Sequence, residues 1–131
     1  MKRFLLATTF AALPMMASAA EYVCDTTNFG RGGWVPDRIY LAFDVTSGQA
    51  FAYDGAIATV SEAPIPVELK KRSDTSYQFR WAVDLKASNG GRSKSSYRVI
   101  LYTDRNKFVL SGRRHGYDNI ISGEGTCKKV G

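Results

Sequence analysis

The sequence predicts an all-β protein, a small antiparallel meander of about eight strands that closes as a barrel. Three observations carry this. Tyr77-Gln78-Phe79-Arg80-Trp81-Ala82-Val83-Asp84-Leu85-Lys86 alternates apolar and polar residues over ten positions. That period of two lays every large apolar group on one face of an extended strand, whereas a helix would scatter them around its circumference. Further short runs of the same kind follow one another, joined by tight-turn residues, and outside the first twenty residues no stretch has a helical period. Finally, the only two cysteines, Cys24 and Cys127, stand near the two ends of the chain. A bridge between them would set the first strand beside the last, which suits a closed barrel better than the alternative, a β-sandwich.

In chain order, residues 1–19 read as a signal peptide. Lys2 and Arg3 form a positive start, Phe4 to Leu13 is an uncharged apolar run, Pro14 ends it, and Ala17-Ser18-Ala19 offers a small-x-small cleavage pattern. The apolar run is too short to span a bilayer, which takes roughly 20 residues. Residues 20–131 then form a single barrel domain. Glu21 to Cys24 opens as a strand. Asn28 to Pro36, with Gly30, Gly32 and Gly33, is a loop. Arg38 to Val45 and Gln49 to Asp54 are strands joined by Thr46-Ser47-Gly48, an antiparallel hairpin. Ala56 to Val60 is a short strand or the base of a loop. Ser61 to Pro66 is a turn or edge segment, since proline lacks an amide donor. Val67 to Lys70 alternates again, and Ser73 to Ser76 turns the chain into the Tyr77–Lys86 strand. Asn89-Gly90-Gly91 turns it out. Tyr97 to Thr103 has the composition of a strand packed on both sides. Asp104-Arg105-Asn106 is a turn, Lys107 to Ser111 a strand, Gly112 to Asn119 a polar loop, and Ile120 to Lys128 the closing strand.

Composition limits function. The formal charge is +6, and removal of Lys2 and Arg3 with the leader leaves +4. Acidic residues are interspersed among the basic ones, a pattern that favours solubility over nucleic-acid binding. The leader implies a periplasmic or secreted chain, an oxidising destination in which Cys24 and Cys127 form a disulfide. The closed loop of about 100 residues contributes roughly 4–5 kcal/mol in the chain-entropy model. Only one strand has the length of a membrane-barrel strand, so the mature chain is expected not to span a membrane. A monomer is expected.

The richest polar segment is Ser111 to Asn119. Arg113, Arg114, His115, Tyr117, Asp118 and Asn119 would give an anion or polar-ligand site at one barrel mouth, because guanidinium groups bind carboxylate or phosphate in a bidentate fashion. The competing reading is a turn made by Gly112 and Gly116 with solvated arginines. Trp34, beside the glycine-rich loop, can stack on a ligand ring or plug a barrel end. One histidine and two oxidised cysteines make no zinc site, and the dispersed carboxylates make no calcium loop. No Gly-x-Ser-x-Gly or Cys-x-x-Cys occurs, so no catalytic residues, metal or cofactor are assigned and no enzyme is expected.

The ends, Tyr22-Val23-Cys24-Asp25 and Gly125-Thr126-Cys127, resemble those of small periplasmic lysozyme inhibitors of the MliC type, which are disulfide-tied antiparallel barrels. The Ser-Gly-containing inhibitory loop of that family has no counterpart in mid-chain, so no functional residue is carried over. A mature charge of +4 would also repel basic lysozymes. Two functions therefore stand. One is an exported barrel that binds a small ligand or cell-envelope component, for which an apolar pocket behind Tyr77, Phe79 and Trp81 is expected. The other is an interaction protein or enzyme inhibitor of the lysozyme-inhibitor-like kind, for which a filled interior is expected together with an exposed aromatic patch around Trp34 or Tyr117.

Overall fold

A computed structural model describes residues 19–28, 35–86, 90–116 and 120–131. Most of the expected leader thus lies outside the described residues, as do Trp34 and the rest of the 29–34 loop. The described residues form nine strands and one turn of helix: β1 (Ala19–Asn28), β2 (Arg38–Asp44), β3 (Gln49–Asp54), α1 (Gly55–Ala58), β4 (Ile65–Pro66), β5 (Glu68–Ser73), β6 (Ser76–Lys86), β7 (Arg92–Tyr102), β8 (Lys107–Arg114) and β9 (Ile120–Lys129). All pairings are antiparallel, in the spatial order β4-β3-β2-β1-β9-β8-β7-β6-β5.

Only Val67 separates β4 from β5. β4 pairs with β3, β5 pairs with β6, and Val67 N donates to Ala50 O at 3.0 Å. One extended segment therefore touches both ends of the sheet, and the sheet comes round on itself as a nearly closed barrel. The seam where the chain ends meet lies between β1 and β9. Cys24 and Cys127 are direct partners across it, bonded to each other with Cα atoms 4.0 Å apart.

The period of two decides what fills the interior. Tyr77, Phe79, Trp81 and Val83 of β6 are buried, while Arg80, Ala82 and Asp84 between them are exposed. β3 contributes only small groups. Ala50, Ala52 and Asp54 face inward because their partners Phe43, Leu41 and Ile39 on β2 already occupy that space, which leaves Phe51 exposed. At one end of the core Tyr22, Phe43, Tyr77 and Phe79 form a continuous aromatic cluster with ring centroids 4.9–6.1 Å apart. Such pairs add roughly 0.5–1.5 kcal/mol each beyond their area.

Four local readings of the sequence change. Ala56 to Val60 is neither strand nor open loop. Asp54, in extended conformation, accepts a hydrogen bond from Ile57 N on Oδ1 at 2.8 Å and starts α1. The turn pays its way by burying Ala56 and Ile57 completely or nearly so. The Ser61–Pro66 segment supplies a ninth strand, the two-residue β4. β7 begins at Arg92 rather than Tyr97, because its serines pair along the whole length of β6. Nor is β7 packed on both sides: Tyr97, Val99 and Leu101 face the core, and of the outward residues after them only Ile100 is buried.

Two outcomes test the seam. Cys24→Ser is expected to lower the melting temperature strongly under oxidising conditions, by the roughly 4–5 kcal/mol of a loop this long; a reductant should do the same to the native chain and nothing further to the variant. Gly125 lies where β1 and β8 both crowd β9, and a Cβ there would run into the Asp25 carbonyl oxygen and come within 2.8 Å of the Phe108 ring. Gly125→Ala should cost about 1–3 kcal/mol or more in denaturant titration, since backbone cannot step aside as a flexible side chain does.

Candidate functional site

The sequence places a polar loop at Gly112 to Asn119. In the structure β8 continues to Arg114, so the first part of that segment is strand. Strand alternation then separates the two arginines. Arg113 is exposed on the outer face, in register with Ser96. Arg114 turns the other way, is partly buried, and donates from Nε to Ser93 Oγ at 3.1 Å. His115 returns to the outer side. Its Nε2 lies 3.0 Å from Ser96 Oγ, and its backbone N donates to Lys94 O. Tyr117, Asp118 and Asn119 lie outside the described residues. Among the described residues of this segment, Arg113 and His115 share a face that Arg114 leaves.

That outer face carries a groove of about 710 Å³ across β6, β7 and β8. Its polar walls are Arg80, Arg98 and Arg113, with Ser96, Ser111 and Ala82 between them and Glu68 and Ile120 at the rims. The register explains the grouping. Arg80 is directly opposite Arg98, which is opposite Ser111, and in the next outward row Ala82 is opposite Ser96, which is opposite Arg113. Neighbouring strands are about 5 Å apart and successive outward rows about 7 Å, so the three arginines spring from backbone positions within roughly 12 Å of one another. Arg98 Nε donates to Ser111 Oγ at 3.3 Å. Among the described residues none of the three arginines has a carboxylate within 4.0 Å; the ion pairs found there join Arg38 to Asp25, Lys71 to Asp74 and Arg105 to Asp104. Glu68 is in register with Arg80 but forms no ion pair with it. Like charges facing each other across a strand pair destabilise it, and a bound oxyanion would reverse that.

Sequence reading missed Arg80 and Arg98. The signal was present: the two lie nine residues either side of Asn89, so a hairpin turning at Asn89-Gly90 puts them opposite each other.

Behind Tyr77, Phe79 and Trp81 the interior is occupied by their own rings and by Phe108, Leu41, Ile57 and Leu101. Its most polar part is the α1 end. Asp54 is buried, and burial holds its carboxyl above the ordinary value of 3.8, against the opposing pull of the Ile57 and Ala56 N–H groups. Tyr97 is raised as well, first by burial and then by the Asp54 charge. On the β1–β2 wall Tyr40 is pushed up to about 12, by burial and by the hydrogen bond that its hydroxyl donates to Glu21. Among the described residues no three of His, Cys, Asp and Glu gather to hold a metal ion, and no helix is long and apolar enough to cross a membrane.

Comparison with protein-family models, curated proteins and solved structures found no match.

The raised Asp54 carboxyl gives a pH dependence with a definite sign. Its ionisation costs more in the folded chain than in the unfolded one. The stability it affects is fully present below the ordinary value and falls as pH rises through the raised one. Asp54→Asn keeps an oxygen for Ile57 N but cannot ionise. Its stability relative to the native chain should therefore increase from acid toward neutral pH in urea titrations. Asp54→Ala, which removes the cap, should lose about 1 kcal/mol.

Proposed function

We propose that the protein is an exported, non-catalytic barrel module whose outer groove binds a polyanionic component of the cell envelope. The observation that carries this is the Arg80–Arg98–Arg113 grouping, three cations on one face without carboxylate partners among the described residues. Guanidinium groups take oxyanions in a bidentate fashion, and the Ser96 and Ser111 hydroxyls add neutral donors. The filled interior favours recognition on the surface over an enclosed ligand. The leader-like residues 1–19 and the Cys24–Cys127 bridge support a periplasmic or secreted site of action. The same filled interior supports a second reading, an interaction protein or enzyme inhibitor working through its surface.

The test is salt-dependent binding of a soluble sulfated polysaccharide and, separately, of vesicles containing phosphatidylglycerol. Binding should weaken steeply between low and physiological ionic strength. The triple variant Arg80→Gln, Arg98→Gln, Arg113→Gln should lose at least tenfold in affinity while melting no lower than the native chain. Undiminished binding by the triple variant would remove the groove from consideration. Binding of an acidic protein in preference to both probes would favour the second reading.

A further inference from the structure

A second polar grouping lies inside the barrel, on the inward positions of strands whose outer face carries the groove, and Trp81 and Tyr97 also border that groove. Trp81 and Tyr97 face each other across β6 and β7 with ring centroids 5.9 Å apart. Ser95 is the next inward residue on β7. Asp54 reaches the same end from the opposite wall, at the start of α1, and its charge is felt at the Tyr97 hydroxyl. The four residues are 3 %, 7 %, 1 % and 2 % exposed for Asp54, Trp81, Ser95 and Tyr97 respectively. Each ends in a buried polar atom with no hydrogen-bond partner among the described residues: Asp54 Oδ2, Trp81 Nε1, Ser95 Oγ and Tyr97 Oη.

A single buried group left unpaired costs about 1–3 kcal/mol, and the great majority of buried polar side chains in folded proteins are satisfied. Four at one end of one small core would consume most of the stability of a domain this size. The Ser95 hydroxyl is close enough to that of Tyr97 to act on it as a hydrogen-bonding group, yet the pair falls short of hydrogen-bond geometry. The chemistry of the four atoms defines what joins them. The indole can only donate, the free carboxylate oxygen of Asp54 accepts, and the two hydroxyls do both. A neutral guest that both donates and accepts, small enough for a packed core, is water. A buried water ordinarily makes about three such bonds.

We propose that the α1 end of the interior is a hydration site, where internal water bridges Asp54, Trp81, Ser95 and Tyr97 and ties the α1 plug to the β6–β7 wall. The arginines of the anion groove stand at exposed positions of the same strands and are not among the four residues.

Nuclear Overhauser contacts between water and the Trp81 indole N–H, recorded on the full oxidised chain, test this. A cross-peak with the sign of a long-lived water is expected. The double variant Ser95→Ala, Tyr97→Phe, which keeps the shape of the wall, should abolish that cross-peak. If the native indole shows no water contact, or bonds instead to a group of the protein, the site is dry and the proposal fails. It fails equally if the double variant retains the same water signal, since the hydroxyls would then not hold it. Should the double variant not fold, Tyr97→Phe alone takes its place, with a weakened cross-peak expected and an unchanged one counting against the site.

Discussion

The fold depends on β1 lying against β9. Every other strand pair joins neighbours in sequence, whose connections of ten residues or fewer close at small entropic cost. This pair joins residues about a hundred positions apart, and it converts a curled sheet into a barrel. Three features of the sequence serve it. Cys24 and Cys127 lie in register and are bonded across it. Gly125 leaves room for the Asp25 carbonyl and the Phe108 ring, and Gly123 does the same for Val35. The inward residues of β9 are thereby kept small on one side of the core, so that the large rings of β2, β6 and β8 fill it.

Closure also governs where function can sit. Among the described residues the rings of Phe43, Tyr77 and Phe79 meet in the middle of the barrel and fill the space there. What remains are its outer faces and its two ends. The face of β6–β8 is cationic and grooved. The α1 end is polar inside, and the opposite end is aromatic. The rigid sheet fixes Arg80, Arg98 and Arg113 at strand positions, so an oxyanion would meet them with little rearrangement.

Much of the fold was legible because strands report themselves locally. Tyr77 to Lys86 could be read from alternation alone, and the β2–β3 hairpin from its turn. The closing bridge followed from having only two cysteines. What was not legible depended on tertiary context. α1 forms because Asp54 is both a strand end and a cap, and because Ile57 has a core to enter. β4 has two residues, too few for any periodicity to register. The placing of the arginines was not legible for a different reason. Arg113, Arg114 and His115 look like a cluster when read along the chain, but a strand sends successive side chains to opposite faces. The partners of Arg113 are instead Ser96, Arg98 and Arg80, residues distant in sequence that only strand register brings near.

The overlap at β4 and β5 gives the barrel two seams of unequal strength. One is covalently locked. The other, between β3 and the Ile65–Val67 segment, rests on a few backbone bonds and includes Pro66, which has no amide hydrogen to give. Local opening is cheapest where fewest backbone bonds must break. The molecule thus behaves as a belt with a fixed buckle and a loose tongue. When it breathes, the tongue lifts first, while the sheet from β3 round to β5 stays continuous through the sulfur bridge. Pro66 on that tongue then helps keep its exposed edge from recruiting a strand of another molecule.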